Sequence, residues 1–445
     1  MASTYLSRTS STPTNALKWT FSAWLKISSI DNDTFLLDFN TDTNNRSQIG
    51  FSNDSSLPRL IVYEKVSAST SQLFLTSALF RDPSAWYHIV VSCDRTLGTD
   101  TERTKIYING TRTTSFSSTP NYPAQNTTGI INTAVSTLIG KYSQSTLYYN
   151  GLMTHVNFID GTAYDASAFG QTDATTGIWK PKGFSGSYGT NGFFLKFENS
   201  GSMGTDSSSN GNNFTVNGTP TQTVDNPTNV FATLNPLIPF GDSYSNGNNT
   251  HTTSSNDYRS AYSTLGVSSG KYYVECKMTN VSGGNGFGIA NQESGVGLVK
   301  NSANKYLGQD TNDVALFNSG ALFRNASSEA TYGTISANDI VQIALDVDNG
   351  YIYWGINGTW QNSANPVTGT GGYAISNIGS NGTYFFGTSQ AQPSVSQINF
   401  GNGYFGTTAV SSATSDESGL GIFEYTVPSG YYALCTKNIN EQEYA

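Results

Sequence analysis

Charge is scarce in this sequence. Only 12% of its 445 residues are Asp, Glu, Lys or Arg, about half the usual share for a soluble domain. The balance is acidic, with a net charge of −9. The chain therefore has no basic stripe to neutralise a nucleic-acid backbone and no polybasic segment for an anionic membrane. Cysteine is scarcer still. Cys93, Cys276 and Cys435 are far apart and odd in number, which argues against a disulfide framework or a CxxC metal site and leaves three small apolar residues. The three histidines, His88, His155 and His251, are scattered. No apolar run approaches the roughly 18 residues of a membrane span, so membrane insertion is not expected. The start, MASTYLSRTSS, lacks the apolar stretch of a secretion signal. Without that signal, triplets such as Asn109-Gly110-Thr111 are not read as glycosylation sites. No GxSxG, HExxH, P-loop or dinucleotide fingerprint occurs.

What is abundant points one way. Aromatics make up 13% of the chain, with 26 Tyr and 24 Phe, beside 45 Gly. Aromatic strands and glycine turns predict an all-β protein. Trp19–Ile27 alternates: Trp19, Phe21, Ala23, Leu25 and Ile27 share one face, and Thr20, Ser22, Trp24 and Lys26 the other. Trp24 breaks the polar face, which places it under a second layer or on a concave surface. Trp86–Asp94 puts Tyr87, Ile89, Val91 and Cys93 on one face, and Lys105–Ile108 runs into an Asn109-Gly110 turn. Further strands are expected at Thr34–Phe39, Gln48–Phe51, Arg59–Tyr63, Gln72–Leu75, Gly192–Glu198, Gly270–Met278, Gly286–Ala290, Tyr384–Gly387 and Ile398–Phe405. The clearest hairpin is Asp339–Trp360. There Val341, Ile343, Leu345 and Val347 alternate with polar residues, and Asn349-Gly350 and Asn357-Gly358 each suit a type I′ turn, which needs positive φ twice. Four prolines between Thr219 and Pro239 break regular structure and mark a linker.

FSAWLKI, AWYHIVVSCD, KIYINGT and YYNGLMTHVNFIDGTAYDASAF resemble laminin-G-like, concanavalin-A-like jelly rolls. GKYYVE, GFGIA, DIVQIALDVDNGYIYWGING and the late NFG resemble the SPRY domain. Two tandem antiparallel β-sandwiches are expected: residues 1–218 (concanavalin-A-like jelly roll), a linker at 219–239, residues 240–409 (SPRY-type sandwich) and a tail at 410–445. The tail is expected to pack on the second sandwich or on a neighbouring subunit through Phe423 and Tyr425, with Ile439–Ala445 loose. The ordered set of sandwich, FATLNPL linker, sandwich and VPSGYYALCTKN tail resembles virion proteins of tailed bacteriophages, especially phages of aquatic bacteria. That resemblance implies a tail fibre, tail-tip or capsid-surface protein, assembled in the host cytoplasm and carried on the virion. Its partners would be other virion proteins and a host cell-surface glycan or protein. A homo-oligomer suits such a role, although no heptad or collagen-like stalk sets its order.

Sugar rings present apolar faces and hydroxyls, so an aromatic plate beside polar groups suits them. Candidate plates are Trp24, Tyr148 and Tyr149 in the first sandwich and Tyr351, Tyr353, Trp354 and Trp360 in the second. Core packing is the competing reading for each. No cofactor is expected: proteins of this resemblance often hold calcium at the sandwich rim, but no acidic cluster here suits it, and its weak candidates, Asp160 and Asp165, read better as turn aspartates beside Gly161. Asp346 and Asp348 fall on one strand face, about 7 Å apart, a spacing that inverting glycosidases use. Neither has a partner suggesting a raised pKa, so solvated aspartates entering a turn are the simpler reading. His88 reads as a packed histidine. The expected function is host-surface attachment without catalysis. A purely structural adaptor and a glycan-cleaving enzyme are the alternatives.

Overall fold

The computed structural model describes residues 4–28, 33–54, 57–237, 242–254, 256–281, 283–294, 305–378 and 382–444. The chain divides into two compact units, Met1–Gln222 and Thr223–Ala445.

In the first unit, alternation decides the layers. Phe21, Leu25 and Ile27 point from Lys18–Ile27 into a core shared with Leu37, Phe39, Ile49, Val62 and Phe74 of the opposing sheet. That opposing sheet has seven strands, ordered Thr215–Asn217, Tyr5–Thr9, Ser136–Ile139, Thr34–Asp42, Asn45–Asp54, Leu57–Val66 and Ser69–Leu75. The facing sheet has six: Phe193–Leu195, Gly151–Asp160, Lys18–Ile27, Trp86–Asp94, Thr104–Ile108 and Thr111–Thr113. All their pairings are antiparallel. The closing strand is only Phe193–Leu195, shorter than Gly192–Glu198, and Phe197 beyond it has φ +61°. Beneath the core, Glu64 and Arg95 form an ion pair with side chains 0% and 1% exposed. Glu64 also accepts from the Ile130 and Ile131 N–H groups at 2.8 and 3.2 Å.

The second unit pairs a nine-stranded sheet, built around Lys271–Asn280, Ile340–Asp346 and Tyr351–Ile356, with a six-stranded one that includes Asn285–Asn291 and Tyr384–Gln390. Asn357 and Gly358 take φ +48° and +82° between the paired Ile356 and Thr359, a two-residue turn of type I′. Asn109 and Gly110 do the same at φ +47° and +83°. Asn349-Gly350 does not. Asp346 pairs with Tyr351, so the loop has four residues, and only Gly350 has positive φ. The cause is Asp346, whose carboxylate accepts from the Asn349 N–H and side-chain amide and reshapes the turn. The strand ends at Asp346, so Asp348 lies in the loop, where it accepts from the Gly270 N–H at 2.7 Å.

The tail is part of this unit's fold. Ser394–Asn399 pairs with Lys271–Asn280 only from Glu275 onward, and Tyr432–Ala433 takes the vacant place beside Tyr272 and Tyr273. Residues within the expected linker join it: Ala232 N–H donates to Leu434 O, and Thr436 N–H to Val230 O. Phe423 is fully buried among Phe231, Tyr273, Tyr353 and Tyr431. It is an internal core residue and offers nothing to a neighbouring subunit. The expected loose end is instead the helix Thr436–Glu443, in which Asn438 is buried and Glu443 accepts from the Ser268 N–H at 2.8 Å.

Glu275 sits under this tail, fully buried, accepting from Glu424 N–H, Tyr425 N–H, Tyr273 O–H and the Asn399 side-chain amide. Burial pushes its carboxyl up to about 7, against the pull of those donors. A folded value above the unfolded one means that its contribution is fully present below the unfolded value of about 4.5 and is lost as pH rises through 7. The second unit is therefore expected to lose on the order of a few kcal/mol between pH 5 and 8. Asp313, also pushed up to about 7 by burial, adds with the same sign. Urea midpoints for Glu275→Gln across that range should be flatter than wild type, and an unchanged slope contradicts the assignment.

Candidate functional site

The six-stranded sheet of the first unit has a second face. Register sets Trp24 beside His88, Ser22 beside Val90, Thr20 beside Ser92 and Lys18 beside Asp94. On the other side it sets Val90 beside Tyr107 and Ser92 beside Lys105. Residues 161–188 cover part of this face. The Thr20 hydroxyl donates to Thr162 O and accepts from Tyr164 N–H, which pins the start of the cover. Phe169, Phe184, Tyr164 and Tyr188 pack over Val90 and Ile159. Trp179 stacks near His88 and donates to its Nδ1 at 3.0 Å. An indole N–H only donates, so Nδ1 is the acceptor and the proton sits on Nε2, 2.9 Å from Ser22 Oγ. Burial drops the His88 pKa to about 3, with His155 adding to the effect, so the ring is neutral.

Where this cover begins, a cleft of about 220 Å³ opens between Ala163–Asp165 and the strands carrying Ser92, Asp94, Lys105 and Tyr107. Leu97 and Glu102 complete the wall. Tyr107 and Tyr164 are half-buried. Burial pushes Asp94 up, but hydrogen bonds from Thr96 and Lys18 outweigh it and hold the carboxyl below its ordinary value. The Lys18 ammonium is 2.9 Å away. Arg112 and Lys105 hold Glu102 down to about 2, at 2.9 and 3.0 Å. Asp165 caps the short helix Ala166–Ala168 by accepting from the Ser167 N–H and hydroxyl. Asp94 and Glu102 are thus ionised at neutral pH, and neither carries the raised pKa that a general acid needs. The cleft offers carboxylate acceptors, one ammonium and two tyrosine rings.

Residues 2–167 match the concanavalin A-like lectin/glucanases superfamily through its Laminin_G_3 model. That match spans all the residues lining the cleft, whereas the closing strand Phe193–Leu195 and most of the cover lie beyond it. Over little more than a third of the chain, solved structures give likenesses to the SPRY domain of human HERC1 (16% identity, 37% of this chain and 96% of that one, TM-score 0.30) and to the TRIM65 PSpry domain (10%, 38% and 91%, TM-score 0.29). Stonustoxin is similar over 38% of this chain and 27% of its own, at 16% identity and TM-score 0.28. No curated protein sequence matches the chain.

The residues singled out from the sequence do not converge on one site. Trp24 is 3% exposed and stacked on His88 at 4.7 Å, covered as its place on the polar face suggested. Tyr149 spends its hydroxyl on Lys26 O and Leu152 O. Tyr148 pairs with Tyr5, and the Lys141 ammonium lies over both rings. Tyr353 and Trp354 are each 1% exposed, and the Trp354 indole donates to Phe287 O. They are core residues, not plates. Trp360 is half-buried against the tail cluster. Tyr425 is half-buried, and its N–H is held by Glu275. Tyr351, at 37% exposed, is the most open of the seven candidate plates. Asp346 is buried in an ion pair with Lys271 at 2.8 Å, so it and Asp348 form no hydrolytic pair. His251 is bonded to Asp242 and Thr388 in a triad-like row, yet His251 and Thr388 are fully buried. The cleft residues Tyr107, Lys105 and Glu102 escaped sequence reading. Their one signal was the polar face of the Lys105–Ile108 hairpin.

Calcium does not fit its candidates. Asp160 is buried and accepts from Thr14 N–H, Asn15 N–H, Asn132 Nδ2 and Asn191 N–H at 2.7–3.2 Å. A cation needs oxygen donors, and nitrogen donors already fill this carboxylate. Among the described residues no group of three or more His, Cys, Asp or Glu side chains could hold a metal. Asp160→Ala should cost the first unit about 2–4 kcal/mol through the N–H groups left unpaired, while EGTA shifts no melting temperature. A calcium-dependent shift of several degrees would contradict this.

Proposed function

We propose that this chain is a non-enzymatic attachment protein of a tailed-phage particle, binding cell-surface carbohydrate through the cleft of its first unit. The observation that carries the reading is the cleft itself, with Asp94 and Glu102 held ionised beside Lys105, Tyr107 and Tyr164. Hydroxyls can donate to fixed carboxylates, accept from an ammonium and lay a ring face on tyrosine. Without a raised carboxyl the same groups bind a sugar and leave its glycosidic bond intact. The particle assignment rests on the ordered resemblance of sandwiches, linker and tail. Weak single sites multiplied over many copies would supply the avidity. In the adaptor alternative, an apolar patch around Phe423 would make the contact, and Phe423 is buried within its own unit.

The test uses labelled full chain, multimerised on a tetravalent carrier, against aquatic bacterial cells. Saturable binding that blocks phage adsorption and is lost when periodate destroys surface glycans is expected. Binding that survives periodate, or no binding across hosts, overturns the proposal.

A further inference from the structure

We infer that the cleft takes a single uncharged pyranose ring and discriminates against acidic sugars. This rests on the cleft being the ligand site. Size sets the first limit. At about 220 Å³ the space falls below the roughly 300–1,000 Å³ that accepts drug-sized ligands, so it fits one ring rather than an extended chain.

Charge sets the second. Each carboxylate of the cleft wall already has its cation: Asp94 has Lys18 at 2.9 Å, and the more exposed Glu102 has both Lys105 and Arg112. These pairs leave carboxylate lone pairs open to hydroxyl hydrogens, but no cation uncommitted among the groups that line the cleft. At the mouth stands Asp165, exposed, with Ser167 as its partner and no ion pair among the described residues. An incoming hydroxyl meets acceptors on both walls. An incoming carboxylate meets the charge of Asp165, and the one ammonium in the cleft wall, Lys105, is already partly neutralised by Glu102 at 3.0 Å. Two like charges about 6 Å apart at the edge of a protein lower affinity on the order of tenfold. Tyr107 and Tyr164 supply the apolar contact, and they do so equally for neutral and acidic rings. The discrimination is therefore electrostatic.

The experiment is a titration of the full chain, by ligand-observed NMR at low salt, with the methyl glycosides of glucose, galactose and mannose and with glucuronate and galacturonate. At least one neutral glycoside should bind in the millimolar range, with its matched uronate roughly tenfold weaker. Asp165→Asn should narrow that gap severalfold, and raising salt should do the same. Lys105→Ala should weaken the neutral ligand. Uronates that bind as well as the neutral sugars, with binding still lost in Lys105→Ala, overturn the charge discrimination while the site stands. Binding of no sugar, or binding that neither variant alters, overturns the site and the inference with it.

Discussion

Glu64→Ala should destabilise the first unit by about 3–5 kcal/mol, among the largest effects expected of any single substitution here. The reason is what stays behind. Arg95 is 1% exposed, and its guanidinium is always charged. Without Glu64 it is a buried cation left with Thr127 O and the Cys93 thiol as neighbours. The Ile130 and Ile131 N–H groups lose their acceptor at the same moment, and the Ser71 hydroxyl is left with its longer bond to the residue 64 carbonyl. A change that removes both charges, Glu64→Gln with Arg95→Met, should recover much of the loss, since replacing a buried pair is often close to neutral. Urea unfolding followed by circular dichroism should show the first unit's transition shift and the second's hold still. A shift below about 1 kcal/mol would mean that the pair is solvated, contrary to its burial.

Removing residues 414–445 should leave the second unit unable to hold a stable native state. The tail fills a strand position beside Tyr272 and Tyr273 and covers Phe231, Tyr273, Ala344 and Tyr353. Glu275 would lose the two N–H donors of Glu424 and Tyr425. Asp416, which collects Leu420 N–H, Ala433 N–H and the Asn438 amide, holds the tail's own fold. Phe423→Ala isolates one part of this. The ring is fully buried, edge-on to Tyr273 at 5.0 Å, and its loss should cost about 3–5 kcal/mol. The truncated chain should bind a hydrophobic dye and aggregate at concentrations where the full chain stays in solution. A truncated second unit that melts as the full chain does would show that the tail is an appendage.

Much of the fold was legible because strands report their faces locally. Phe21, Leu25 and Ile27 alternate into the core, and two Asn-Gly pairs make the turns that their φ preference suggests. Asn349-Gly350 failed because a neighbouring carboxylate, Asp346, overrode the turn residues, a contact that turn chemistry alone does not contain. The tail's destination was half legible. Phe423, Tyr425 and Val427 announced a need for cover, but the empty place beside Tyr272 exists only once Ser394–Asn399 has veered away. Aromatic richness misled the site search, since Tyr353 and Trp354 serve packing. The cleft is assembled from Asp94, Lys105 and Tyr164, which lie on separate elements. No spacing in the sequence brings them together, whereas the strand register does.

The central claim is that the cleft of the first unit binds carbohydrate. The most direct measurement sets the multimerised full chain, wild type beside Lys105→Ala and Asp94→Asn, against a panel of immobilised glycans, with unfolding curves confirming that each variant is folded. Wild type should bind a subset of neutral glycans saturably, and both variants should lose at least about tenfold in affinity, the scale of one charged hydrogen bond. Equal binding by folded variants and wild type would contradict the claim and move the ligand site elsewhere in the chain.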